Sequence, residues 1–301
     1  MSSSPDTPLL QLSGIVKHYG TVRALQGASL TVHPNEVVAL VGDNGAGKST
    51  MIKVISGVIQ PDEGEIVIDG RPVTFSSPLD PRSHGIETVY QDLALAPDLD
   101  PAANLFLGRE VLRGGVLGMM GMLDKPKMRR QADDAFARLS VGLQDTRSTV
   151  GTMSGGQRQG IAVARAVLWA SRLVLMDEPT AALGVVQTGR VRALIESVRE
   201  QGVSVVLVSH NLPFVFEVAD RIEVLRLGRR VAAFTRAEAT AERVLGAMTG
   251  ALAEVPPGDP AVHPAATVPD TMIGTAINAG TDGTGRVDGT GGLRGTRGTE
   301  A

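Results

Sequence analysis

The sequence contains no cysteine, which excludes disulfides and thiolate metal sites and fits a reducing compartment such as the cytosol. Lysine is scarce, occurring only at 17, 48, 53, 125 and 127, so arginine carries most of the positive charge. The net charge is −3, and without a strong basic field nothing points to a nucleic-acid partner. No apolar run approaches the roughly 18 residues that span a bilayer, so any membrane role is expected to use another chain. The first residues, Met1 to Asp6, carry neither a basic nor an apolar segment, and no signal peptide is expected. What 301 residues do allow is a sizeable core, in one large domain or two small ones.

The most informative stretch is Gly42-Asp43-Asn44-Gly45-Ala46-Gly47-Lys48-Ser49-Thr50, placed between the apolar run Val37 to Val41 and the helical pattern Met51 to Ile55. This is strand, glycine loop, helix. The spacing G-x-x-x-x-G-K-[ST] lets glycine backbone reach positive φ, so that successive N–H groups converge on one anion at a helix N-terminus. The anion expected is a nucleotide phosphate. Lys48 is expected to reach the β- and γ-phosphates and Ser49 to ligate Mg²⁺, with Thr50 supporting the loop.

Upstream, Leu9 to Ile15 and Ala28 to Val32 read as strands, with Lys17-His18-Tyr19-Gly20 between them. Tyr19 is either a half-buried strand aromatic or a flat face for a nucleotide base. Gly64 to Ile68 followed by Asp69-Gly70 suggests a further strand of a small antiparallel sheet, and Ile86 to Gln91 another short strand ending at Gln91.

From Asp92 the pattern turns helical: Asn104 to Glu110, a Gly/Met-rich connector from Gly114 to Met122, then Asp124-Lys125-Pro126 opening a helix with Met128, Ala132, Ala135, Phe136 and Leu139 inward. This suggests a helical insertion over about 92–160, between two parts of the sheet. Met153-Ser154-Gly155-Gly156-Gln157 opens another helix with Ser154 as N-cap.

Leu173 to Met176 is a continuous apolar strand ending in Asp177 and Glu178, the end at which α/β sheets place ligands. Asp177 is placed to hold Mg²⁺ and Glu178 to face an attacking water. Ser204 to Val208 is the next strand, ending at Ser209-His210. Arg221 to Val231 reads as a hairpin whose arginines form a solvated turn, and 237–248 as a helix. Beyond about Gly250 the Pro/Gly/Thr-rich tail offers little to bury and is expected to stay flexible.

Together these motifs resemble the nucleotide-binding subunit of an ABC transporter over about residues 8–250. The fold this implies is α/β: a phosphate-loop NTPase with a mostly parallel core sheet, a small antiparallel β subdomain and an inserted helical subdomain. The resemblance implies that Tyr19 stacks on adenine and that the 42–50 loop binds the phosphates and Mg²⁺ of ATP. It further implies that Gln91 touches Mg²⁺ or the water and couples to a permease, that Glu178 polarises the water, and that His210 contacts the γ-phosphate. Ser154 and Gly156 are implied to act on ATP held by a second cassette, where a helix N-terminus stands in for an arginine finger. Met153 replaces the usual Leu, and Gly184 stands where the family usually has Asp, which bears on communication with the second cassette.

Val89-Tyr90-Gln91 followed by Asn104 to Glu110 is similar to ATPases of ribose-, xylose-, galactose- and fructose-type importers. The expected assembly is two cassettes, an integral-membrane permease and, indirectly, a substrate-binding protein, at the inner face of the cell membrane. The alternatives are a soluble ABC ATPase of translation or DNA repair, which usually brings coiled coils or basic arms, and an exporter ATPase.

Overall fold

The computed structural model describes residues 7–139, 141–143, 145–181 and 183–251. The tail expected to be flexible lies, from residue 252 onward, outside the described residues, as do Met1 to Asp6.

The chain opens with two long antiparallel strands, β1 (Leu10–Tyr19) and β2 (Val22–Val32), followed by β3 (Val37–Val41) and α1 (Lys48–Ile55). The early strands outrun the sequence expectation, because β1 continues through bulges to Tyr19 and turns tightly at Gly20. Next come β4 (Glu63–Ile68), β5 (Arg71–Val73), α2 (Leu79–Ser83) and β6 (Ile86–Val89). The helices α3 (Pro101–Phe106), α4 (Val116–Met119), α5 (Lys125–Arg138) and α6 (Gly155–Trp169) precede β7 (Leu173–Asp177). Then follow α7 (Val185–Glu200), β8 (Ser204–Val208), α8 (Leu212–Val218), β9 (Arg221–Arg226), β10 (Arg229–Thr235) and α9 (Ala241–Thr249).

Two sheets result. The smaller has the order β2-β1-β4-β5 and is antiparallel throughout. The larger has the order β10-β9-β3-β8-β7-β6, with β9, β3, β8, β7 and β6 parallel and β10 antiparallel at one edge. Every residue of β3 and β8 is buried, as expected of parallel strands covered on both faces. Alternation divides their side chains: Val205 and Leu207 of β8 join Val174 and Met176 of β7 under α3, α5, α6 and α7. Val206 and Val208, with Leu173 and Leu175, face α1 and the antiparallel sheet.

The segment from Asn104 to Arg109 ties the helices to the sheet. Asn104 is fully buried; its Oδ1 accepts from Ala96 N at 2.8 Å and its Nδ2 donates to the carbonyls of Ala96 and Asp100 at 3.0 and 3.1 Å. Phe106 meets Trp169 edge-on with centroids 5.6 Å apart, and the Arg109 guanidinium lies 4.9 Å over the same indole while hydrogen-bonding Glu87 of β6. In α5, Met128, Ala132, Ala135 and Phe136 are buried as the helical spacing implied, and Asp124 caps the helix through Lys127 N at 3.0 Å.

One expectation is corrected. The hairpin arginines do not simply form a solvated turn: the turn is Leu227-Gly228, and Arg221 hydrogen-bonds the fully buried Glu223, with Arg230 3.5 Å from the same carboxylate. A carboxylate buried that deeply requires cations beside it. Arg229 is exposed, as expected.

Asn104→Ala leaves the part-buried Ala96 N–H without its acceptor, although the Ala96 and Asp100 carbonyls keep backbone donors, and is expected to cost about 1–3 kcal/mol. Urea unfolding checks this, and an unchanged midpoint would remove Asn104 from its anchoring role.

Candidate nucleotide site

The predicted functional residues lie at the C-terminal ends of four adjacent parallel strands. In sheet order, β3 leads into Gly42, β8 into Ser209-His210, β7 into Asp177-Glu178 and β6 into Tyr90-Gln91. Chain order scatters these residues from Gly42 to His210; strand order sets them in one row.

At the first strand end the glycine loop is shaped by what cannot fit. A Cβ on Gly42 would lie 2.2 Å from the Leu225 carbonyl oxygen of β9, and Gly42 has φ 153°. A Cβ on Gly47, at φ 105°, would lie 2.7 Å from Ala24 O of β2. The loop is thus held between the two sheets, and Gly228 N, in the β9–β10 turn, donates to Ala46 O at 3.0 Å. Asp43, Asn44 and Gly45 are exposed, as is Ser49, with Thr50 half-buried. Lys48 is buried, and its Nζ donates to the carbonyls of Gly42 and Asp43 at 2.6 and 2.9 Å. Burial pushes its pKa down, opposed by the charges of Glu178, Asp43 and Asp177.

The two carboxylates are less well provided for. Asp177 Oδ1 and Glu178 Oε2 are buried and accept no hydrogen bond. His210 Nδ1 comes within 2.9 Å of Glu178 Oε2, an ion-pair distance without hydrogen-bond alignment, and the ring is largely exposed. Burial raises the Asp177 pKa, the neighbouring Glu178 raises it further, and Lys48 and Lys53 counteract. Glu178 is held in the left-handed backbone region at φ 52°, its N–H bonded to Val208 O at 2.9 Å. Strain of that kind costs about 1–3 kcal/mol and persists where the surroundings over-determine it.

Asp177 also borders a cleft of about 690 Å³ with Tyr90, Gln91, Asp92 and Ala94. Leu93 and Ala94 both have positive φ, and Arg165 of α6 donates to their carbonyls at 2.9 and 2.6 Å. The sequence reading did not single out Arg165; a lone cation among the apolar positions of α6 is its only trace.

Three predicted residues, Tyr19, Ser154 and Gly156, stand apart from this row. Tyr19 ends β1, is 45% exposed and, among the described residues, has no aromatic or cationic neighbour at its ring face. Its strand end is fixed by Asp62, which accepts from Lys17 Nζ at 2.6 Å and His18 N at 2.7 Å and is thereby lowered to a pKa of about 2. Ser154 opens α6, which packs on α3, α5, α7 and β6. Its hydroxyl accepts from Gln157 N at 3.3 Å while Gln157 Oε1 accepts from Ser154 N at 3.0 Å, a reciprocal cap at an exposed helix start. Gln187 of α7 was not foreseen: a Cβ on Gly156 would lie 3.0 Å from its Cγ, and one on Gly184 2.8 Å from its Oε1.

The comparisons with known proteins agree with this arrangement. The ABC transporter family model matches residues 25–181. The chain is 51% identical over 246 residues to the fructose import ATP-binding protein FrcA of Rhizobium meliloti, covering 81% of this chain and 95% of that protein. It is 45% identical over 241 residues to the xylose/arabinose import ATP-binding protein XylG of Sulfolobus acidocaldarius, covering 80% and 94%. Against the ribose import ATP-binding protein RbsA of Burkholderia pseudomallei it is 43% identical over 249 residues, 82% of this chain and 48% of that one, so it spans about half the ribose relative. Among solved structures, a dimeric ATP-binding cassette bound to ADP and Pi in a post-hydrolysis state superposes with TM-score 0.64 at 25% identity, covering 75% of this chain and 98% of that one. A nucleotide-free cassette from an ABC transporter gives TM-score 0.64 at 25% identity, covering 80% and 95%.

The chain therefore belongs to the ABC transporter family. It has the α/β fold of that family's ATPase cassettes. Among the described residues no helix is long and apolar enough to cross a membrane.

The donor set at β7 fits Mg²⁺. Among the described residues no group of three or more His, Cys, Asp and Glu side chains could cage a metal, whereas Mg²⁺ is bound by one or two carboxylates together with water and substrate phosphates. Because the folded pKa of Asp177 is raised, its ionisation above that value weakens the nucleotide-free fold. Asp177→Asn is expected to raise that fold's Tm, by about 2–4 °C for each kcal/mol relieved, and to remove the Mg²⁺ dependence of nucleotide binding. Calorimetry with and without Mg²⁺ measures both.

Proposed function

We propose that this chain is the ATP-hydrolysing subunit that powers a membrane importer of a monosaccharide, working as a pair of cassettes with an integral-membrane permease. The printed functions of the fructose, xylose/arabinose and ribose relatives support the cargo class. The observation that carries the chemistry is Glu178 Oε2, buried without a hydrogen-bond donor beside His210.

In this reading the 42–50 loop, with Asp43, Asn44 and Gly45 exposed, binds the phosphates through backbone N–H groups at the start of α1, and Lys48 exchanges its two loop carbonyls for phosphate oxygens. Ser49, Asp177 and Gln91 hold Mg²⁺ directly or through its water. When bound, the cation neutralises charge on the β- and γ-phosphate oxygens. Glu178 accepts a hydrogen bond from the attacking water and so aims it at the γ-phosphorus, while His210 contacts the γ-phosphate. Tyr19 stacks on the base.

Ser154 and Gly156 lie at an exposed helix start, and their role is in trans, on ATP held by the second cassette. The Ser154 hydroxyl accepts within its own cap and keeps its proton to donate there. The 8–250 span acts as one nucleotide-binding domain with its helical insertion at about 92–160, on the cytoplasmic side of the cell membrane. A substrate-binding protein completes the importer.

Glu178→Gln is expected to retain Mg-ATP binding, lose hydrolysis by about two to four orders of magnitude and accumulate as an ATP-dependent dimer in light scattering. Wild-type turnover in that variant would overturn the assignment. Lys48→Ala is expected to lose nucleotide affinity by calorimetry, and unchanged binding would count against the phosphate-loop reading.

A further inference from the structure

Between α3 and α5 the chain makes a projection that the ATP site does not use. Its neck is a short hairpin in which Leu112 pairs with Leu123, Arg113 N donates to Met122 O at 2.9 Å and Asp124 N to Val111 O at 2.7 Å. Its tip is α4, closed by Met120 N on Val116 O at 3.1 Å and Met122 N on Leu117 O at 3.0 Å.

The tip is apolar on the side turned away from the neck. Val116 is 71% exposed, Met119 89% and Met120 74%, with Leu117 and Met122 also exposed. At about 100° per residue, positions 116, 117, 119 and the C-cap Met120 share one arc of about 160°, while Gly118 faces the neck, where a Cβ would collide with the Arg113 carbonyl oxygen. An apolar arc turned outward at the end of a projection, above a basic neck, suits the boundary between lipid headgroups and acyl chains.

The charge around the neck agrees. Residues 109–130 hold six cations and two carboxylates in a chain of net charge −3, and two of the five lysines fall there. Arg113, Lys125 and Lys127 are exposed and, among the described residues, have no carboxylate at ion-pair distance. Both carboxylates are spent on backbone: Glu110 accepts from Gly108 N and Asp124 from Lys127 N, each at 3.0 Å. The collar is therefore complementary to an anionic surface.

We infer that the α4 projection is a membrane-surface contact, in which Val116, Leu117, Met119, Met120 and Met122 enter the headgroup layer of an anionic bilayer and Arg113, Lys125 and Lys127 meet its phosphates. A single shallow tip gives weak and reversible binding by itself, which serves to orient the cassette instead of anchoring it. The contact does not depend on which cargo is carried.

Because the chain lacks cysteine, Met119→Cys accepts one environment-sensitive dye on the otherwise unlabelled full chain. With vesicles containing phosphatidylglycerol the dye emission is expected to shift to the blue and the protein to float with the lipid, both fading as salt is raised. Met119→Ser combined with Met120→Ser is expected to reduce the floated fraction about tenfold with ATP binding kept, which verifies the fold, and Lys125→Gln with Lys127→Gln to reduce it on anionic vesicles. Absence of flotation, or equal flotation with purely phosphatidylcholine vesicles, overturns the inference. A dye shift that occurs only when a permease is present in the bilayer also overturns it, and assigns the tip to a protein contact.

Discussion

Three charged side chains are brought into a partly dehydrated space at the ends of β3 and β7, and the site is organised by the need to keep them there. Lys48 is lowered and Asp177 raised by the same burial, so each partly neutralises the other's cost. Neither is satisfied in the way a structural ion pair is: Lys48 rests on loop carbonyls, and Asp177 and Glu178 each keep an oxygen without a donor. A site in this condition is stabilised by a ligand that brings its own anion and cation, as Mg-ATP does.

The frame that sustains this is the fully buried centre of the larger sheet. Because β3 and β8 are buried along their whole length, their register is fixed, and with it the level at which each strand stops. The antiparallel sheet adds the second constraint: Ala24 of β2 and Leu225 of β9 leave room for hydrogen and nothing larger at Gly47 and Gly42. The loop conformation is thus imposed from two sheets, and the glycines are the residues that comply.

Much of this was legible in the sequence because the motifs are local. The strand-loop-helix around Lys48, the carboxylates ending an apolar strand, the Ser154 cap and the Asp69-Gly70 turn each declare themselves within ten residues. What was not legible depends on contacts between distant segments. Arg165 reaches Leu93 and Ala94 across more than 70 positions, and Gln187 sits between Gly156 and Gly184 without any spacing that marks it. Glu223 was hidden for a related reason: within an apolar strand it reads as a solvated charge until Arg221 and Arg230 are brought beside it.

The left-handed backbone at Glu178 has a bearing on laboratory evolution of this cassette. Asn and Gly occupy that region more readily than Glu, and neither presents a carboxylate to water. With the role proposed for Glu178, a library ranked by thermal tolerance alone will therefore climb toward cassettes that fold better and hydrolyse less. Enrichment has to be coupled to turnover from the first round.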